Sequence, residues 1–269
     1  YTLKSCLETG LEKNYSIRIV RNEEQVSKNN ATLGNAGYLP TLDLSTSFSG
    51  NINDTETQAR ETGEKSKTTG VFDKTLNAGL NLNWTIFDGF KIQANYDRLK
   101  ELKKQGETQT RIAIEDFIAE LAAEYYNYIQ QQIRLKNFRY AMSLSKERLR
   151  IVEERYIVGN FSRLDLQQAR VDYNADRTQH MKQQEAVQAS LIRLNELMAN
   201  ADMTQPIMLN DSIIDLNAIF SFEELWQSTL KNNANLLKSE QNKELASLEM
   251  KTVKARNFPY LKVNAGYGY

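Results

Sequence analysis

Proline is nearly missing from this sequence: Pro40, Pro206 and Pro259 are all there are. About 165 residues run between the first two without another. A proline inside a helix removes a hydrogen bond and clashes with the preceding turn, so its absence permits very long helices. Cysteine is scarcer still. Cys6 stands alone, so neither a disulfide nor a thiolate metal cluster can form within the chain. Neither sign of charge is in excess: 34 Lys and Arg balance 34 Asp and Glu, leaving no basic surplus to neutralise nucleic-acid phosphates. No apolar run approaches the roughly 18 residues a transmembrane helix requires. That does not exclude a membrane β-barrel, whose strands hide lipid-facing residues in alternation. The opening Tyr1-Thr2-Leu3-Lys4 follows helical periodicity, so an exported form implies a leader removed or lying outside the sequence. A glycine-rich phosphate loop, a nucleophile elbow and a His/Cys/carboxylate set at metal spacing are all lacking. The reading is therefore non-enzymatic, with no catalytic residue, metal or cofactor.

What is present changes period several times. Residues 2–37 read as helix, with Leu3, Leu7 and Leu11 on one face. Pro40 ends it, because the residue before a proline is pushed out of the α region. Two runs of alternation follow, predicting strands over 41–52 and 75–87. On one face of the first stand Leu42, Leu44 and Phe48, with Asp43 on the other; on the second, Leu80, Leu82 and Trp84 oppose Asn81 and Asn83. Each run is slightly longer than the roughly 9–11 residues that cross a bilayer at a tilt. Residues 53–71, rich in Thr, Glu, Lys, Gly and Ser, read as a solvated loop. One strand alone fits a soluble sandwich equally well. Two in succession, the second closing on Trp84 and Phe87, favour a barrel whose wet, weakly charged lumen is lined by Asn, Ser and Thr.

From 90 to 158 apolar residues recur at three- and four-residue steps, predicting one helix about 100 Å long. A helix of that length needs other long helices beside it. Val158-Gly159-Asn160 interrupts it, Ser162 is an N-cap candidate with Asp165 at its third position, and a return helix spans 162–200. A connector over 201–219 carries Ile207, Met208, Leu209, Ile213 and Ile214 to pack on the helices.

The pattern then restarts. A shift of 219 residues, without a gap, places Thr2 on Ser221, Leu3 on Phe222, Asn14 on Asn233, Pro40 on Pro259 and Leu42 on Leu261. Residues 1–219 thus form a first repeat, and 220–269 open a second with helix 221–257 and strand 260–269. The expectation is a chain truncated within its second repeat.

The chain resembles the TolC-like outer-membrane efflux proteins. The resemblance lies in Leu39-Pro40-Thr41-Leu42-Asp43-Leu44 at the start of the first strand and Trp84-Thr85-Ile86-Phe87-Asp88-Gly89 at the end of the second. It continues through Arg155-Tyr156-Ile157-Val158-Gly159 and Ser162-Arg163-Leu164-Asp165-Leu166, followed by Ala169. The resemblance implies an α+β channel-tunnel in the bacterial outer membrane, extending into the periplasm. A homotrimer would join four strands per subunit into a twelve-stranded transmembrane barrel in outer-membrane lipid, above an α-barrel of long antiparallel hairpins. It implies efflux of small molecules or type I protein secretion. A periplasmic adaptor (membrane fusion protein) would dock at the tip, Val158, Gly159, Asn160, Phe161 and Ser162, and an inner-membrane pump would supply energy. Asp165 matches an acidic position that helps close the periplasmic entrance.

Plainer roles stand beside these. Gly159 also reads as a helix stop, Asp165 as a capping acid, and His180, amid Gln, Lys and Arg, as solvated. Tyr125, Tyr126 and Tyr128 read as interhelical packing, and Asp43 and Lys262 as solvated wall residues. The rival architecture is a soluble structural coiled-coil protein with a small accessory β-sheet.

Overall fold

The computed structural model describes residues 1–58, 65–208 and 221–269. They fall into two compact units, one of residues 1–25 and 106–238, the other of 26–105 and 239–269. Neither coincides with the expected repeats, 1–219 and 220–269: each unit gathers segments from both ranges.

In the first unit, α1 (Leu3–Lys13) begins at a capping box between Thr2 and Ser5. It breaks at Asn14, whose ψ of 128° takes the chain out of the helix. The break is built. Asn14 Oδ1 accepts the N–H groups of Ser16 (2.9 Å) and Ile17 (3.3 Å), so it caps α2 (Tyr15–Asn30), while Nδ2 donates to the Leu197 carbonyl at 3.0 Å. That second bond fastens the joint to the end of α5 (Arg163–Leu197).

The core around it holds Cys6, Ile17, Phe117, Leu121, Tyr125, Tyr128, Leu194 and Met198. Leu3, Leu7 and Leu11 pack on it from α1. Gly10 allows the close approach: a Cβ there would lie 2.7 Å from the Phe117 ring and 2.9 Å from Leu121. Tyr125 and Tyr128 are packing residues, and desolvation raises the Tyr128 phenol pKa. Fully buried Asn195 donates to the carbonyls of Met203 and Gln205, both at 3.0 Å, and folds the following segment onto the helices. Ile207 is buried as expected, but Met208 is exposed. Leu209, Ile213 and Ile214 lie outside the described residues.

α4 (Lys91–Ile157) is continuous over 67 residues, and α5 returns antiparallel over 35. Their facing residues alternate by three and four: Gln131, Leu135, Phe138, Met142, Ser145, Leu149 and Val152 on α4, with Ala169, Tyr173, Asp176, His180, Gln183 and Val187 on α5. This 3.5-residue period is that of a coiled coil. The seam is unusually polar at its middle, where Gln183 Nε2 donates to Gln131 Oε1 (2.8 Å) and to its carbonyl (3.1 Å). His180, expected in solvent, is half-buried in this seam.

In the second unit, α3 (Leu33–Ala36) is capped by Thr32 and ends at Gly37 with φ 99°. β1 (Thr41–Gln58), β2 (Lys65–Asp88) and β3 (Tyr260–Gly268) form an antiparallel sheet in that order. The strands outrun their predicted limits of 52 and 75. Most of the expected loop is a polar ribbon in which Thr55, Glu56 and Thr57 pair with Thr68, Lys67 and Ser66. Alternating hydrophobicity cannot reveal strands whose two faces are both wet, whereas cross-strand Thr and opposite-charge pairs can hold them. The register slips by one residue between Asn53 and Thr55, where Asp54 Oδ1 accepts the Gly70 N–H at 2.7 Å.

Two predicted helices are also subdivided. The 2–37 helix is α1, α2 and α3. The 221–257 helix is α6 (Phe222–Asn232), α7 (Ala234–Lys254) and a 3-10 turn over Ala255–Asn257. At both breaks an Asn side chain caps the next helix, Asn14 that of α2 and Asn233 that of α7.

Candidate functional site

The sheet has two unlike faces. Register pairs Leu42 with Leu82, Leu44 with Leu80 and Phe48 with Leu76. β3 adds Val263, Ala265 and Tyr267 to the same face, opposite Trp84, Leu82 and Leu80. Leu44 and Phe48 are 72% and 70% exposed, so the sheet carries an uncovered apolar band. On the other face Asn83 Nδ2 donates to Asp43 Oδ2 (3.1 Å), Asn81 to Ser45 Oγ (3.4 Å) and Asn77 to Ser47 Oγ (3.2 Å). The expected wall residues are thus brought together: Leu42, Leu44, Phe48, Leu80, Leu82 and Trp84 on one side, Asp43, Asn81 and Asn83 on the other. Among the described residues β1 and β3 each pair only with β2, leaving two open edges.

The base of the sheet is fixed by residues that alternation did not single out for this role. Trp84 Nε1 donates to the Tyr38 carbonyl at 3.1 Å, and Asp88 Oδ1 accepts the Ile92 N–H at 3.0 Å, capping α4. Gly89 turns with φ 68°, and a Cβ there would collide with the Ala255 carbonyl and Phe258. Phe90 stands edge-on to both Phe87 and Phe258. The string Trp84 to Gly89 is therefore a strand-to-helix corner, and its spacing was the available signal.

At the far end of the hairpin, Gly159 with φ 80° donates to the Tyr156 carbonyl and Asn160 to that of Arg155, which terminates α4. The Arg155 guanidinium lies 5.5 Å from the Phe161 ring centroid. Ser162 and Asp165 form a reciprocal capping box: Asp165 Oδ2 accepts from the Ser162 hydroxyl (2.7 Å) and N–H (3.0 Å), and Ser162 Oγ accepts the Asp165 N–H (3.2 Å). The hydroxyl first, then the backbone N–H, hold the Asp165 carboxyl below its ordinary pKa. Ile157, Val158 and Leu164 are exposed around this turn. Behind it Arg150 grips Glu147 and Glu154 on α4, and Arg170 crosses to Glu153 at 3.2 Å. These pairs are solvated, so each contributes little.

The family of outer membrane efflux proteins matches residues 7–200, most of the chain. This chain belongs to that family. Among curated relatives, the proteases secretion protein PrtF of Dickeya chrysanthemi is 20% identical over 269 residues, covering 98% of this chain and 57% of PrtF. The Campylobacter jejuni CmeC outer membrane channel superposes with a TM-score of 0.74 at 19% identity, covering 99% of this chain and 56% of that one. The Vibrio cholerae outer membrane protein VceC gives 0.71 at 17%, covering 99% and 62%. The chain spans about three-fifths of the length of these relatives. The tip residues and Asp165 sit together at one turn, whose local bonds alone account for the capping role.

Proposed function

We propose that this chain supplies the wall of a trimeric exit duct in the bacterial outer membrane, reaching into the periplasm. The sheet carries the reading: one face is apolar and uncovered, the other is lined by amide and hydroxyl groups, and among the described residues both edges are open. A strand edge cannot stay unpaired in hydrocarbon, so strands from neighbouring subunits would close the sheet into a barrel. Ile133 and Tyr140 on the back of α4, and Leu164, Val171 and Ile192 on the back of α5, are likewise exposed. They lie opposite the hairpin seam, where neighbouring hairpins would complete a helical barrel. An adaptor would dock at Val158 to Ser162, coupling the duct to an inner-membrane pump. Asp165 would contribute to the closed entrance through Oδ1, since Oδ2 is engaged by Ser162. Cargo is small molecules or, given the name of PrtF, exported proteins.

The test places single cysteines in full-length protein reconstituted in lipid. At Leu44 and Leu80 they should react with a lipid-phase probe, and at Asp43 and Asn81 with a water-soluble one, in a trimer that conducts ions. A soluble monomer with Leu42, Leu80, Leu82 and Trp84 shielded by protein would instead establish the coiled-coil scaffold. Gly159→Val should reduce adaptor capture through backbone strain alone, since no atom lies within 4 Å of the added Cβ. Undiminished capture would remove the tip from the docking site.

A further inference from the structure

Although the chain as a whole is neutral, the middle of the hairpin is not. No carboxylate occurs between Glu124 and Glu147 on α4, or between Asp176 and Glu185 on α5. The cations in these intervals divide between the two flanks of the seam. Heptad position puts Lys136, Arg139 and Lys146 of α4 beside Arg177 of α5 on one flank, and Arg134 with Lys182 on the other. None forms an ion pair among the described residues, nor do the bordering Asp176 and Glu185. Elsewhere on the hairpin Arg150, Arg170 and Arg193 are all paired with glutamates.

The Lys136 flank is also concave. A cleft of about 680 Å³ is lined there by Lys136, Arg139 and His180 above Leu135, Met142 and Val187. That volume falls within the range of small-ligand sites, about 300–1,000 Å³. The opposite flank has a smaller cleft, about 370 Å³, whose one large apolar side chain is Phe138. Unpaired cations around an apolar floor match a molecule with a compact hydrophobic body and an anionic head.

We propose that the cleft beside Lys136 and Arg139 binds amphipathic organic anions, the head group at these two cations and the body on Leu135, Met142 and Val187. Arg139 offers a planar fork of donors suited to a carboxylate or sulfonate, and Lys136 adds a second positive charge. Binding itself needs no pore. Its meaning as a resting place for anionic cargo rests on the exit-duct reading above.

The probe is naphthalene-1-sulfonate, titrated calorimetrically into full-length protein in non-ionic detergent, with 1-naphthylmethylammonium as the matched cation. The sulfonate should bind at least tenfold more tightly than the ammonium. The double variant K136E/R139E should weaken sulfonate binding at least tenfold. R134E/K182E, with the same charge change on the other flank, should stay within twofold. All four positions are exposed, and thermal melts confirm folding. Equal loss in both variants would reduce the effect to overall charge and overturn the site, as would no preference for the anion. Binding of a glutamate-rich helical peptide without sulfonate binding would reassign the flank to a protein partner and also overturn it. Bilayer conductance is recorded separately: binding without conduction refutes the duct and keeps the site, and conduction without binding does the reverse.

Discussion

α1 and α6 are the same element set in two environments. Each has 11 residues, each starts at a capping box, and each stops at an asparagine that caps the helix after it. Yet α1 buries Cys6 and packs its three leucines on the core, whereas Phe222, Leu225, Trp226 and Leu230 of α6 are all exposed, Phe222 at 79%. Helix limits are therefore set by local chemistry, independently of whether the apolar face is covered. Stability is a separate matter, supplied to α1 by Phe117, Leu121 and Leu194.

Breaking that contrast should be easiest at Gly10. Gly10→Val should cost about 1–3 kcal/mol by overpacking against Phe117, while Thr229→Val at the matching exposed position should change denaturant unfolding by under about 0.5 kcal/mol. Similar losses at both sites would mean that α6 is buried in the folded protein. Next comes the asparagine joint. Asn14→Ala removes a cap and orphans the Leu197 carbonyl, so it should cost about 1–2 kcal/mol; Asn233→Ala removes only a cap and should cost about half as much. Thr2→Ala and Ser221→Ala sharpen the comparison from the other side. Both caps are local, so each should cost about 1 kcal/mol and the two should agree. The smallest effect is pH-dependent. Asp165, whose pKa is lowered in the folded chain, supports the start of α5 above the ordinary carboxylate pKa of about 4 and loses that support as pH falls below it. The Thr2/Ser5 box of α1 has no carboxylate to titrate. Amide protection at the start of α5, corrected for the intrinsic slowing of exchange in acid, should therefore fall as pH drops, with no such change at α1 from its own cap.

Much of this was legible in the sequence. Alternation assigned the wall residues to their faces, because a two-sided sheet leaves a period-two record. The long helix and its tip followed from absent proline and from Gly159. The rest was hidden for physical reasons. Strand pairing beyond Asn53 depends on cross-strand polar partners, which a pattern along one strand does not display. The bond from Asn14 to the Leu197 carbonyl, which fastens that joint to α5, reaches 183 residues along the chain, where no local pattern displays it. His180 looked solvated because its sequence neighbours are polar, and only the heptad shared with Gln183 and Val187 places it in the seam.

The slip at Asn53–Thr55 has a consequence for how this protein can vary. Below it, Leu42 to Ile52 hold a fixed orientation; above it, the ribbon has already changed phase and is pinned by Asp54 to Gly70. The pairing phase of the upper ribbon is thus set separately from that of the leucine-bearing stretch. A peptide tag grafted beyond Asp54, of odd or even length, should therefore leave Leu42, Leu44 and Phe48 in their register with Leu82, Leu80 and Leu76.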